Sequence, residues 1–337
     1  MIHELKKIIQ AFEAATKAGL KSVMATVVAL EGSSYRRPGV RMLIISDGKM
    51  IGAVSGGCVE KEILRQAQDV FSTQMPKMMT YDGRYRLGCE GILYILIEPF
   101  EPNIQFTESF WSAVAMRKPI VGHSIYTSDS GSSAEMGSLF QWDEEMMAVR
   151  PEFSPSDHLE IFKQQMEPCH KLIIIGAEHD AVQLCSYAAL TGWEVSVVAS
   201  PAEEKVITDF PGAKDFHAIE AEELNTSEID DQTSVLLMTH SYVKDLAYLI
   251  KLKDTSPLYL GLLGPAARRE KLLNEFLERC PEVDQEFVDN IHGPAGLHLG
   301  AETPQEIAIS IISEILSVHR QTQPKSLKDK SGAIHNQ

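Results

Sequence analysis

Cysteine is scarce in this sequence, and the little there is forms no pattern. The 337 residues hold five, Cys58, Cys89, Cys169, Cys185 and Cys280, with no CxxC pair. A disulfide framework is therefore not expected, and the five read as reduced thiols. Positive charge is also short: 31 Lys and Arg stand against 47 Asp and Glu, a formal charge of −16. Such a field repels phosphate backbones and anionic headgroups, which argues against nucleic acid and against a membrane surface as partners. A local basic pocket for a small anion remains compatible with it. No stretch approaches the ~20 apolar residues of a membrane-spanning helix, and no apolar leader precedes the first helical pattern, so a cytoplasmic location is expected. Internal repeats and long low-complexity tracts are absent too.

What remains is ordinary globular composition, 44% hydrophobic and 23% charged, at a length that suits two domains. Ile2, Leu5, Ile8, Ile9 and Phe12 have helical spacing, with Gly19 placed to end the helix. Residues 22–30 are rich in Val and Thr, and Asp47-Gly48 sits between two strand-like runs as a hairpin turn. A helix is predicted over 59–71 and a strand over 92–97, closed by Glu98-Pro99. Signals weaken between 100 and 168: a helix over 106–116, a strand over 120–126, a Ser-rich loop over 128–133 and a boundary over 151–155. From Lys171 strands and helices alternate, which predicts a parallel sheet covered on both faces. Thr303, Pro304 and Glu306 form a capping box and first turn for a last helix with Ile307, Ile311, Ile315 and Val318 on one stripe. The expected fold class is α/β: an N-terminal α+β domain over 1–155, a C-terminal Rossmann-like parallel-sheet domain over 156–325, and a polar tail over 326–337.

The Rossmann reading rests on Gly176-Ala177-Glu178-His179-Asp180-Ala181, which follows an apolar strand and opens a helix. Gly176 makes the tight turn, and Ala181 allows close packing of helix on strand. Glu178, however, replaces the glycine that lets backbone approach a pyrophosphate, and a carboxylate there repels phosphate. The acidic residue expected to bind the ribose is also missing, because Val198 is followed by Ala199-Ser200-Pro201. The fold signal is good and the NAD(P) signal poor. His179 and Asp180, His240, and Gly264 with Arg268 all follow predicted strands, at the sheet edge where ligands bind. Singly each reads as a solvated loop residue; together they outline a pocket.

Three glycine-rich turns mark the first half. Residues 32–39 (GSSYRRPG) join two strands, 55–60 (SGGCVE) lead into a helix, and 87–91 (LGCEG) lead into a strand. Glycines such as Gly56 and Gly57 let backbone amides approach a ligand, and a helix beginning near Cys58 adds positive partial charge. Arg36, Arg37 and Arg41 can offer forked donors to a phosphate. The competing reading is a pair of buried structural cysteines, Cys58 and Cys89, beside solvated arginines.

Together with 259–264 (YLGLLG) and 292–307 (HGPAGLHLGAETPQEI), these segments resemble the XdhC/CoxI family of accessory proteins for molybdenum hydroxylases such as xanthine dehydrogenase. They span both halves in the family's order. The family commonly has proline where Tyr35 stands, glycine at Glu90 and Glu178, and an acidic residue at Ala199. The resemblance implies a maturation factor rather than an enzyme. It would bind molybdenum cofactor, support its sulfuration, and deliver it to a molybdenum hydroxylase apoenzyme, with a cysteine desulfurase as a further partner and a homo-oligomeric state. That cofactor is an anionic pterin with a phosphate and a dithiolene-held metal, and it needs amide donors, arginines and a soft thiolate. The resemblance thus makes Cys58 and Cys89 candidate contacts to the metal or its sulfur, and Gly56, Gly57, Arg36 and Arg37 candidate anion binders. Two other classes stay open: an NAD(P)-dependent oxidoreductase using the Rossmann half, and a scaffold protein without cofactor, in which the Gly-Cys turns would have no purpose.

Overall fold

The computed structural model describes residues 2–32, 37–83, 91–156 and 158–330. The chain divides into two compact units, Met1–Pro168 and Cys169–Gln337. In the first, the elements run α1 (Ile2–Lys17), β1 (Ser22–Glu31), β2 (Arg41–Ile45), β3 (Met50–Gly52), α2 (Cys58–Thr73), β4 (Lys77–Asp82), β5 (Ile92–Pro99), α3 (Ile104–Ala115), β6 (Ile120–Tyr126), β7 (Gly131–Ser132), β8 (Gly137–Trp142), β9 (Glu145–Ala148) and β10 (Glu160–Met166). Two sheets result, ordered β3-β2-β1-β5-β4-β7 and β10-β6-β8-β9. Helix α2 buries Val59, Ile63, Ala67 and Val70, one face at helical spacing, against Val23, Ala25, Val27, Ile95 and Ile97 of the larger sheet.

Two departures from the sequence pattern concern this unit. Residues 151–155 do not end it: β10 follows them and pairs antiparallel with β6 along its whole length, Glu160 opposite Tyr126 through Met166 opposite Ile120. Glu98 does not close its strand but lies inside β5, fully buried. There its carboxylate accepts hydrogen bonds from the Ser138 amide (2.9 Å) and hydroxyl (2.6 Å) of β8, tying the two sheets together. Arg41 of β2 makes the matching tie. Its guanidinium is buried, donates to Gly39 O (3.0 Å) and Gln164 Oε1 of β10, and lies over the Phe140 ring (5.2 Å).

The second unit contains β11 (Lys171–Ile175), α4 (His179–Leu190), β12 (Glu194–Ala199), β13 (Asp215–Ala218), β14 (Thr233–Leu237), α5 (Tyr242–Leu252), β15 (Tyr259–Leu262), α6 (Ala266–Arg279), α7 (Gln285–Asp289), β16 (Ile291–His292) and α8 (Pro304–His319). Its sheet is ordered β13-β12-β11-β14-β15-β16, and every pairing is parallel. This is the doubly wound order 3-2-1-4-5-6, so the Rossmann-like fold holds. One face packs under α5 and α6, the other under α4 and α8. The capping box of Thr303 and Glu306 starts α8, with Pro304 in its first turn. No described helix is long and apolar enough to cross a membrane.

Burial raises the Glu98 carboxyl to about 7, against the opposing pull of the Ser138 hydrogen bonds and of the Arg150 and Arg41 charges. Burial also lowers Arg41 to about 10, partly offset by Glu98 and Glu4. Glu98 therefore holds a proton more tightly folded than unfolded. Its contribution to stability is full below about 4.5 and is lost as pH rises through about 7. Thermal unfolding from pH 5 to 8 should show a fall in stability with pH that Glu98→Gln flattens; an unchanged slope would contradict the assignment.

Candidate functional site

In the first unit the turn between β3 and α2 gathers Gly56, Gly57 and Cys58. Gly57 caps the helix at φ 60° and ψ −46° and so offers no side-chain cap, while the Cys58 amide donates back to Gly56 O (2.6 Å). Among the described residues, a Cβ at Gly56 or Gly57 would meet nothing within 4 Å. Cys58, the first helical residue, is a free and exposed thiol. It is not the buried structural cysteine of the competing reading.

Beneath the turn lies Glu60, the last residue of the SGGCVE motif, to which the sequence pattern assigns no task. Its side chain is buried, only 8% exposed, although it stands in the first turn of the helix. Oε1 accepts the backbone amides of Val54 (3.2 Å) and Ser55 (2.6 Å), fixing the approach to Gly56. Oε2 is buried and makes no hydrogen bond. Acid at the positive end of a helix is favourable, and the spacing from Ser55 to Glu60 was the available signal.

The other first-unit candidates are dispersed. Arg37 is exposed. Arg41 is interior, its guanidinium engaged with Gln164, Gly39 and Phe140 rather than presented to solvent. Arg36 and Cys89 lie outside the described residues, and so does most of the LGCEG turn. Among the described residues no group of three or more His, Cys, Asp or Glu is placed to hold a metal ion.

In the second unit the strand order reverses between β11 and β14, which opens a crevice at their carboxyl ends. Gly176, at φ 141°, runs so close to the next loop that a Cβ would stand 2.3 Å from Met238 O. This approach brings His240 within 3.7 Å of Asp180 across the crevice (Nε2 to Oδ2). His240 holds a left-handed conformation, φ 56°, that a non-glycine residue adopts only under constraint. His179 and Glu178 are both exposed at the start of α4, and Glu178 makes no capping hydrogen bond. Two carboxylates, Glu178 and Asp180, thus occupy the helix end where a pyrophosphate would sit, an arrangement that opposes phosphate. Ser200, after β12, is buried against Glu220 (2.7 Å).

Gly264 and Arg268 join this edge through Asp245, which no motif in the sequence marks. Asp245 is buried in α5. Its Oδ1 accepts the Thr239 hydroxyl (2.6 Å) and amide (3.2 Å), and its Oδ2 pairs with Arg268 Nη2 at 2.6 Å. One carboxylate therefore sets the loops after both β14 and β15. A second unforeseen centre is Glu314 of α8, which receives Tyr259 OH (2.5 Å), the Gly296 amide (2.7 Å) and His292 Nδ1 (3.3 Å). It anchors the HGPAG segment, and these contacts hold its carboxyl below the usual range despite opposing burial.

Two family models match this chain: the XdhC Rossmann domain over residues 172–315, and the XdhC and CoxI family over residues 15–82. A relative from Bacillus subtilis (strain 168), named as a probable xanthine dehydrogenase subunit, is 26% identical across 89% of this chain and 94% of its own. Another from Escherichia coli (strain K12), named as the molybdenum cofactor insertion chaperone PaoD, is 24% identical across 90% of this chain and 85% of its own. A crystal structure from Bacillus halodurans, described as a xanthine dehydrogenase, is 27% identical, with a TM-score of 0.76, and covers 94% of this chain and 97% of that one.

Asp245→Ala would strand Arg268 and two Thr239 donors. Chemical denaturation should show the second unit weakened by about 3 kcal/mol, the usual scale for losing one member of a buried pair. A change below about 0.5 kcal/mol, the scale of an ordinary surface substitution, would show that Asp245 does not organise these loops.

Proposed function

We propose that this chain, which belongs to the XdhC and CoxI family, binds molybdenum cofactor at the Gly56-Gly57-Cys58 turn and hands it to a molybdenum hydroxylase such as xanthine dehydrogenase. The cofactor is cargo rather than a resident group. The observation that carries the reading is the exposed thiol at the glycine-capped N-terminus of α2, where among the described residues nothing stands within 4 Å of a Cβ at either glycine. The name of the PaoD relative as a cofactor insertion chaperone supports it.

The residues suit such a molecule. The positive end of α2 favours an anionic oxygen, and a thiolate is a soft partner for molybdenum or its sulfur. Arg37, in the loop before β2, supplies a further charge for phosphate. Cys89, in the third glycine turn, is proposed as a second sulfur contact. Holding the cofactor while a cysteine desulfurase supplies its terminal sulfur, and releasing it to the apoenzyme, needs no bond-making by this chain, so the role is carriage and protection rather than catalysis. Action in the cytoplasm suits free thiols.

The Rossmann crevice carries a different proposal: its two carboxylates at the start of α4 make NAD(P) a poor ligand. Calorimetric titration should detect no binding of NAD(H) in the low micromolar range, and low-micromolar affinity would reverse that reading. For the cargo itself, Cys58→Ser preserves size but removes the soft sulfur. The variant should fold with unchanged melting temperature yet retain markedly less molybdenum when purified from a cofactor-producing host. Equal molybdenum content in variant and wild type would make Cys58 a bystander.

A further inference from the structure

The sequence segments 259–264 and 292–296 meet at the carboxyl edge of the Rossmann sheet, where β15 and β16 pair in parallel. Each carries a glycine that seats an arginine of α6. A Cβ at Gly264 would stand 2.9 Å from Arg268 Cδ, and one at Gly293 would stand 2.7 Å from Arg269 Cδ. Both arginines line one small cleft with Gly264, Leu262, Leu263 and Asp245. The two stems are thus held alike, and the guanidinium groups differ in what they meet. Arg268 gives Nη2 to the buried Asp245. Arg269 is part-buried, yet its guanidinium makes no hydrogen bond or ion pair among the described residues. Only its Nε is fully buried, so the terminal nitrogens reach solvent.

Positive charge is therefore in excess here, in a chain whose formal charge is −16. Asp245 offsets one arginine, and no other acid lines the cleft. The first turn of α6 also lacks an acid, although cations are disfavoured at that end of a helix. What suits the pair is an anion with several oxygens, because guanidinium forks match phosphate oxygens two at a time. The start of α4 is the reverse case, since Glu178 and Asp180 stand there and oppose phosphate. We propose that the Rossmann unit binds the phosphate group of a small molecule at Arg268 and Arg269, two strands from the usual place. Asp245 orients one fork and the glycines seat both stems, so the donors are set before the anion arrives. Neither arginine belongs to the cofactor turn of the first unit, and the two assignments stand or fall separately.

Calorimetric titration of the full chain with inorganic phosphate and with pyrophosphate tests the site. Wild type should bind saturably and lose affinity as salt rises. Arg269→Gln removes a charge that no protein group meets, so the melting temperature should stay at the wild-type value. Affinity should fall roughly tenfold to a hundredfold, the worth of one hydrogen bond to a charged group. Arg269→Lys keeps the charge without the fork and should recover only part of the loss. Tighter binding of pyrophosphate would assign a diphosphate, and equal binding a single phosphate. Hydrogen exchange read by mass spectrometry should show protection by the anion over residues 263–272. Absence of saturable binding, equal affinity in wild type and Arg269→Gln, or protection confined to residues 54–60 would overturn the site. Molybdenum retention by Cys58→Ser reads the cofactor turn independently of each of these results.

Discussion

The amides of Val54 and Ser55 converge on the carboxylate of Glu60, and the shape of the only exposed glycine–cysteine turn among the described residues follows from that clamp. Without it, two consecutive glycines would leave the entry to α2 free to sample many conformations. With it, Gly57 is held at φ 60° and Cys58, first in the helix, is presented as an exposed thiol. The hydrophobic face of α2 supplies the other half of the constraint, because Val59 and Ile63 are fixed in the core one step beyond the thiol. Reactive groups are held in place by buried ones.

The same construction recurs elsewhere. In the second unit a buried carboxylate, Asp245, fixes the loops after β14 and β15, and Glu314 fixes the segment after β16. In the first unit Glu98 and Arg41 join the two sheets through polar contacts set among apolar core residues. Each such group is costly to bury alone, so each demands its partners and thereby sets one arrangement of loops or sheets. Polar groups in this protein act chiefly as locators for backbone.

Much of the fold was legible because hydrophobic periodicity and turn chemistry are local. The amphipathic α1, the Asp47-Gly48 hairpin, the strands around 171–175 and 194–199, and the Thr303 capping box all follow from patterns within a few residues. The glycine turn and the switch-point residues Gly176, Asp180 and His240 were legible for the same reason. The short strand β4 and the edge strand β10 were not. β10 reads Glu-Ile-Phe-Lys-Gln-Gln-Met, mostly polar, and its existence depends on pairing with β6 more than thirty residues away. Glu60, Asp245 and Glu314 escaped for a related reason: an acid on an amphipathic helix looks solvated until tertiary packing shows which side it faces. Arg41 erred in the opposite sense, since an arginine beside a glycine loop suggests an anion site and here spans two sheets.

Transfer of cargo tests the central claim most directly. The full chain, purified from a cofactor-producing host, would be mixed with a hydroxylase apoenzyme freed of molybdenum, and the two proteins then separated and assayed for metal. The account predicts that molybdenum leaves this chain, appears in the hydroxylase and restores its activity, and that a Cys58→Ser preparation delivers little. A wild-type chain that carries no molybdenum, or that carries it without giving it up, would contradict the account.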